Sequence, residues 1–431
     1  MGKVKDAGLS KLGAKELEWA RRNMPALAEI RKKFEREKPF SGVTIGVALH
    51  LEKKTGILLE TLAAGGAKVF AASCNPLTTD DSVAAALLSH PSKSIEVFAW
   101  AGETNEEYYW CLDSVLDAKP QIVIDDGCDL VMRLHEKRKT QLSTVWGGCE
   151  ETTTGIVRLS AMQKDGALLL PIFAVNNAYS KYLLDNQFGT AQSTLDAIAR
   201  CTNKLVAGKT AAVFGYGWCG RGIASRLKGL GANVIVVEVE GTLGPHESGQ
   251  NRALCALYDG FRVCDHKKAC REANLLITAT GNKNVLRKEH FELMPNGTIM
   301  ANSGHFNVEI DEPALRKMSV KVEELKDNLV GYTLKDGRTL YVLSEGRLVN
   351  LARPSGQGHP IEIMDGSFAI QALCASEIAK GRGKKLKPGV MDVPREIDDS
   401  VASLILKTQG IALDKPTPEQ IAYSNEWKEG T

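Results

Sequence analysis

The chain has 431 residues, and its 54 Lys and Arg stand against 52 Asp and Glu, a net charge of +2. At about 150 residues per domain this length predicts two or three domains, and 43% hydrophobic with 25% charged residues excludes a disordered or fibrous chain. The balanced charge removes any polyelectrolyte argument for nucleic acid, and no apolar run approaches the ~20 residues of a membrane span. Met1 to Leu12 is polar and charged, unlike a signal peptide. Ten cysteines are scattered from Cys74 to Cys374 with no CxxC, the pattern of free thiols in a reducing cytoplasm. A cytoplasmic protein with no metal site is expected.

In chain order, residues 15–37 predict one helix, with Leu17, Met24, Leu27, Ile30 and Phe34 at helical spacing. Short apolar runs then alternate with helical stretches: Val43–Leu49, Lys68–Ala72, Ile95–Ala99, Gln121–Asp125 and Leu169–Val175. Such alternation predicts a parallel sheet wrapped by helices. A second series follows at Ala211–Gly215, Asn233–Val239, Leu275–Ala279, Thr298–Asn302 and Thr339–Leu343. Gln187–Ser193, with a hinge-like Gly189, separates the two series, and Ala352–Pro360 forms a second loop. The expected class is α/β with two doubly wound parallel sheets, one domain inserted into the other. Residues 1–188 begin the outer domain, 189–352 are the insert, 353–395 return, and 396–431 form the tail; the stretch from Val390 is Pro-bearing and charged, and one or two small helices are expected there.

Gly215-Tyr216-Gly217-Trp218-Cys219-Gly220 follows an apolar strand and opens a helical stretch, Ile223–Leu230. The first glycine permits the tight turn, the second lets backbone approach a pyrophosphate, and the third allows close helix–strand packing. Glu238 ends the next strand about 20 residues on, where a carboxylate accepts from a ribose diol and repels a 2′-phosphate. This Rossmann pattern predicts NAD rather than NADP; the alternative is a phosphate-free turn. Gly241–Gln250 is a loop insertion beside the adenosine end, with no role legible from sequence.

Ligands in parallel sheets sit beyond the carboxyl ends of the strands, and polar residues gather there. They are His50, Asn75, Asp125-Asp126, Glu150-Glu151 with Thr152, Thr153 and Thr154, Asn176-Asn177, Lys181, and Asp185-Asn186. Ser303-Gly304-His305 and Gly358-His359-Pro360 add histidines from the second series. Singly, each has a bland alternative: a satisfied histidine, an Asp-Asp-Gly turn, a threonine helix cap. Together with a nicotinamide they would make a site for hydride transfer coupled to proton transfer.

The chain resembles the S-adenosyl-L-homocysteine hydrolase family over nearly its full length. The resemblance rests on His50 to Thr55, Ser73-Cys74-Asn75-Pro76-Leu77, Asp125-Asp126-Gly127, Glu150 to Gly155, and Val175-Asn176 with Lys181 and Asp185-Asn186. It continues through Gly215 to Gly222, Gly304-His305-Phe306, Glu345 to Leu348 with Asn350, and Gly358-His359-Pro360. It implies a substrate-binding outer domain, an NAD-binding insert, and tightly held NAD that oxidises the ribose 3′-hydroxyl of a nucleosyl-homocysteine. The ketone acidifies the 4′ proton, homocysteine leaves, water adds, and the ketone is reduced again. It also implies a homo-oligomer, a tetramer, acting in the methyl cycle.

Carried over by motif, His50, Asp126, Glu151, Lys181, Asp185 and His305 are the catalytic set around the ribose. Lys181 would take the 3′-hydroxyl proton, its pKa lowered by burial. Glu151 and Asp185 would hold the ribose hydroxyls, and Asp126 with His50 would act at the 4′ and 5′ carbons. Glu52, Lys54, Thr55, Asn176, Asn186 and His359 would contact substrate. Thr152, Thr153, Thr154, Gly215, Gly217, Trp218, Cys219, Gly220, Arg221, Gly222, Glu238, Ser303, Gly304 and Asn350 would contact NAD.

Three positions and the chain's end depart from the family pattern. Lys54 stands where many members carry a Glu or Gln that accepts from the adenine 6-amino group; Asn177 replaces a usual Asp, and Asp80 a usual Gln. The end of the chain, Asn425–Thr431, lacks the Lys/Tyr-bearing tail that many members extend to a neighbour's NAD. Lys54 either faces a 6-oxo base, which makes S-inosyl-L-homocysteine a substrate, or points to solvent or pairs with Glu52 or Asp80. A simple NAD-dependent dehydrogenase and a catalytically silent NAD-binding homologue are the rival readings.

Overall fold

The computed structural model describes residues 2–242, 247–384 and 386–427. Its first seven strands are β1 (Lys3–Val4), β2 (Thr44–Ala48), β3 (Lys68–Ala72), β4 (Ile95–Ala99), β5 (Ile122–Asp125), β6 (Gly147–Glu150) and β7 (Pro171–Ala174). Then come β8 (Thr210–Phe214), β9 (Asn233–Val237), β10 (Arg262–Val263), β11 (Leu275–Thr278), β12 (Ile299–Asn302), β13 (Ser319–Lys326), β14 (Leu329–Leu334) and β15 (Thr339–Leu343). The last strand, β16 (Gly389–Asp392), returns to the edge beside β7, in parallel register from Gly389 opposite Pro171.

Two eight-stranded sheets result, ordered β1-β4-β3-β2-β5-β6-β7-β16 and β10-β9-β8-β11-β12-β15-β14-β13. In the first the order reverses between β2 and β5, in the second between β8 and β11. Each reversal opens a crevice at the carboxyl ends of the strands. All four residues of β5 and four of five in β8 are buried, as strands covered on both faces require.

Several expectations are corrected. The 15–37 helix is two helices, Ser10–Arg22 and Pro25–Glu37. Pro25 is at the first turn of the second, where a missing N–H costs nothing. The amides of Ala26 and Leu27 donate to Asp365 (2.8 Å each), whose pKa burial pushes up to about 6. Gln187–Ser193, between the two series, lies in a helical run, Tyr182–Gly189 continuing into Thr190–Thr202. Gly189 is helical (φ −64°). A Cβ there would lie 2.9 Å from Asp185 Oδ1 and 3.1 Å from His359, so close approach explains the glycine. The second sheet is not wholly parallel, because β14 runs antiparallel to both β13 and β15.

Helix Ile361–Gly381 packs Met364, Phe368, Ile370 and Ala372 into the core of the first sheet. Helix Arg395–Thr408 is fixed too, since Asp398 accepts from the Tyr179 and Ser180 amides. The delayed helix after β9 runs Gly249–Tyr258; residues 243–246 of the insertion, and 428–431 at the chain's end, lie outside the described residues. Among the described residues no helix is long and apolar enough to cross a membrane.

Beyond β4, Glu103 is buried with Oε1 accepting from the Trp100 amide and Oε2 unpartnered. Burial raises its pKa from 4.5 to about 7. A raised acid favours folding below its unfolded pKa, and that contribution is lost as pH rises through 7. Glu103→Gln is therefore expected to raise stability at pH 8, by on the order of 2–3 kcal/mol, and to change little at pH 4. Thermal unfolding at the two pH values checks this.

Candidate active site

Both crevices open into one cavity of about 1,070 Å³. The first sheet supplies His50 after β2, Asp126 after β5, Glu151 after β6, and Asn176 and Lys181 after β7. The second supplies Gly215 after β8, Glu238 after β9 and His305 after β12.

The loop after β2 turns through Glu52, which caps helix Lys53–Ala64 by accepting from the Lys54 amide. Thr55 Oγ1 donates to the His50 carbonyl at 2.6 Å, and His50 Nδ1 lies 2.8 Å from Thr78 Oγ1. His50 Nε2 therefore faces Asp126 Oδ2 at 3.5 Å, while Asp126 Oδ1 faces His305 Nδ1 at 3.7 Å. Burial draws the His50 pKa down to about 4, against the pull of Asp126, so the imidazole is neutral. Two buried carboxylates hold this turn in shape. Asp125 accepts from the Asp126 and Val131 amides, and Glu150 accepts from those of Gly127 and Thr152. Burial raises both pKa values, Asp125 to about 7 and Glu150 well above the usual range.

A second cluster forms around Lys181, which is 3% exposed. Its ammonium lies 2.8 Å from Asp185 Oδ2 and 3.5 Å from Glu151 Oε1, and donates to Asn186 Oδ1 at 3.0 Å and Asn176 Oδ1 at 3.4 Å. Burial opposes the charge, but Asp185 and Glu151 outweigh it and hold the pKa above the usual lysine value. The expectation of a lowered value is thus corrected: two carboxylates in contact prevail over desolvation. Burial also opposes the Asp185 charge, yet His359 and Lys181 hold that pKa below the usual range, whereas burial raises Glu151. Asp185 is therefore the counterion of Lys181. His359 Nδ1 is bonded to Asp185 Oδ1, and its Nε2 lies 3.3 Å from Thr190 Oγ1.

Lys54 pairs with Glu52, one of the expected alternatives, and points neither to solvent nor to Asp80. It is 2% exposed, 2.9 Å from Glu52 Oε2, and donates to the Gln357 carbonyl at 2.8 Å. Burial lowers its pKa, with Glu52 opposing. Asp80 instead meets Arg353 at 3.1 Å and caps helix Asp81–Leu88. Asn177 accepts from Asn176 at 3.4 Å.

The glycine loop fits a dinucleotide. Gly215 has φ +97°, and a Cβ there would lie 2.8 Å from the Ala279 carbonyl; a Cβ on Gly217 would meet nothing within 4 Å, leaving room for a phosphate. Helix Trp218–Gly229 starts with no side-chain cap, so its first amides are free to donate. Asn350 donates to Ser193 Oγ at 3.1 Å, leaving a buried Oδ1 unpartnered, and Asn350, Ser303 and Gly304 all line the cavity. Thr152, Thr153, Thr154, Trp218, Cys219 and Glu238 also line the cavity.

Three expected cofactor contacts are not brought to the wall. Cβ atoms on Gly220 and Gly222 would lie 1.9 Å from the Gly215 and Gln187 carbonyls, so both glycines serve packing. Arg221 lies over the Trp218 and Tyr216 rings, 5.0 and 5.6 Å from their centroids. Sequence reasoning missed Ser367 and Gln371, which hold the two Glu151 oxygens at 2.5 Å each from helix Ile361–Gly381. The available signal is their i,i+4 spacing among the apolar residues Phe368, Ala369, Ile370 and Ala372.

Residues 2–146 match the S-adenosyl-L-homocysteine hydrolase family, and residues 186–356 match that hydrolase's NAD-binding domain. The S-inosyl-L-homocysteine hydrolase of Methanocaldococcus jannaschii is 52% identical over 431 residues, covering 100% of both chains. That of Methanopyrus kandleri is 50% identical, covering 99% of this chain and 98% of its own. The adenosylhomocysteinase of Thermococcus kodakarensis is 51% identical with the same coverage, 99% and 98%. With full-length identity of this order and matches to both family domains, the chain belongs to the S-adenosyl-L-homocysteine hydrolase family and uses NAD.

Proposed function

We propose that this enzyme hydrolyses S-inosyl-L-homocysteine to inosine and L-homocysteine in preference to the adenosyl compound. The observation that carries the choice of base is the buried Lys54 ammonium on the cavity wall. It has three donors and no acceptor. One faces Glu52 and one the Gln357 carbonyl, which leaves one for the substrate. A hypoxanthine 6-oxo group accepts from it, whereas an adenine 6-amino group opposes donor to donor. A buried polar group left unpaired costs about 1–3 kcal/mol.

Bound NAD supplies oxidation at the ribose 3′ carbon and its later reversal, which makes the 4′ C–H acidic in between. Lys181 holds the proton at the 3′ oxygen, with Asp185 and the two asparagines fixing its direction. Glu151, held by Ser367 and Gln371, orients the ribose hydroxyls. Asp126 with neutral His50 removes the 4′ proton and passes a proton to the departing thiolate, and His305 closes the same group from the other sheet. The C–S bond breaks, water adds at the 5′ carbon, and the sum is thioether hydrolysis with no net redox change.

The test is kcat/KM for the two nucleosides, followed by release of free thiol. Wild type is expected to favour the inosyl compound, and Lys54→Gln, which offers an amide acceptor, to move the ratio toward adenosyl by about tenfold. If wild type favours the adenosyl compound and Lys54→Gln leaves the ratio unmoved, the reading of the base fails. We also propose a homotetramer in the cytoplasm. Exposed apolar side chains on helix Gly249–Tyr258, Leu254, Leu257 and Tyr258, support association, and mass in solution tests it.

A further inference from the structure

The insertion after β9 brings a second carboxylate to the adenosine end of the cavity. Glu247 Oε2 lies 3.5 Å from Arg221 Nη2 and 3.8 Å from Arg252 Nε. Arg252 Nη1 is also 4.0 Å from Glu238 Oε1, and its Nε is buried with no hydrogen-bond partner. Glu238, Glu247 and Arg252 all line the cavity, along with Gly241 and Gly249 at the two sides of the insertion. The Glu238 Oε1 atom is already engaged by the Tyr216 amide, and burial raises the Glu238 pKa. Glu238 alone is therefore a weakened barrier to an anion.

An arginine beside a ribose-binding carboxylate is the means by which a dinucleotide site takes a 2′-phosphate; here Arg252 stands on the wall, with Arg221 behind it on the Trp218 and Tyr216 rings. With Glu247 present their charge is matched; without it a net positive charge faces the ribose.

We infer that Glu247 is a specificity residue for the cofactor, holding Arg221 and Arg252 away from a ribose 2′-phosphate and so keeping the site for NAD. This rests on the NAD reading and extends it to a residue of the insertion. Glu247 is about half exposed, so solvent screens it and the expected effect is moderate.

The experiment uses the full chain, stripped of nucleotide and reloaded from an equimolar mixture of NAD+ and NADP+. The nucleotides released on denaturation are then separated by chromatography. Wild type is expected to release NAD+ almost alone. Glu247→Gln is expected to raise the NADP+ to NAD+ ratio by about tenfold or more. Adding Arg252→Met to that variant is expected to return the ratio toward wild type, which a mere loosening of the loop would not do. A Glu247→Gln ratio within about twofold of wild type, or a ratio that stays high after Arg252→Met, overturns the inference while NAD binding stands. A wild type that takes up no dinucleotide overturns the NAD reading itself.

Discussion

Lys181→Ala is expected to lower kcat by about 10²–10⁴-fold, the usual worth of a general acid–base group, with KM changed by a few-fold at most. Lys181 carries little of the binding surface, being 3% exposed, but its ammonium is the hub of Asp185, Glu151, Asn176 and Asn186. With its pKa raised, the resting group is charged, and in the proposed mechanism it would meet the 3′ oxygen as a donor rather than as a free base. It can accept a proton only after giving one up along its buried contacts. Lys181→Arg separates the two possible contributions. A guanidinium keeps the charge but does not deprotonate, so it rescues an electrostatic role and not a proton-transfer role. Turnover followed by free thiol, with thermal unfolding as the control for folding, decides between them. Lys181→Ala within about threefold of wild type would remove Lys181 from the chemistry.

The strands at Lys68–Ala72, Ile95–Ala99 and Thr339–Leu343 are legible to the residue, because each is an apolar run that the sheet buries. The unexpected strands lack that signal. β6 reads Gly-Gly-Cys-Glu, with no β-branched residue, and is held by pairing to both β5 and β7; a Cβ at Gly148 would lie 2.7 Å from Val123, so close packing explains that glycine. β13 is charged and exposed along most of its length and, at the sheet edge, has β14 as its one strand partner among the described residues. At Gly189 glycine alone does not tell a hinge from a close contact, and the close contact follows only from the tertiary position of His359. At the site, residue types and strand-end positions were legible, whereas charge states were not. Lys181 is buried, which alone predicts a lowered pKa, and only the 2.8 Å contact to Asp185 reverses the sign. Ser367 and Gln371 come from a helix more than 200 residues beyond Glu151, a pairing that local pattern does not encode.

Asp126→Asn is expected to cost as much as Lys181→Ala, at a different step. Asp126 stands between two imidazoles, His50 Nε2 at 3.5 Å and His305 Nδ1 at 3.7 Å, and one ring nitrogen of each histidine and a carboxylate oxygen lie within 4.8 Å of one another. His305 arrives from the second sheet, so the carboxylate is flanked by both halves of the molecule. An amide of the same shape keeps the contacts but cannot take a proton, and turnover should fall by about 10²–10⁴-fold with substrate affinity retained. Exchange of the nucleoside 4′ hydrogen with deuterated solvent should fall in parallel. Lys181→Ala should slow that exchange as well, because the 4′ proton is not acidic until the 3′ carbon has been oxidised. The two losses therefore lie in series on one path, and the double variant should be little worse than either alone. A check on position comes from Gly127, which has φ +102° and where a Cβ would lie 2.3 Å from His305 Nε2. Gly127→Ala should displace His305 and reproduce part of the Asp126→Asn loss with Asp126 intact. If Asp126→Asn keeps both turnover and 4′ exchange near wild type, Asp126 only shapes the turn, and the proton passes through the histidines.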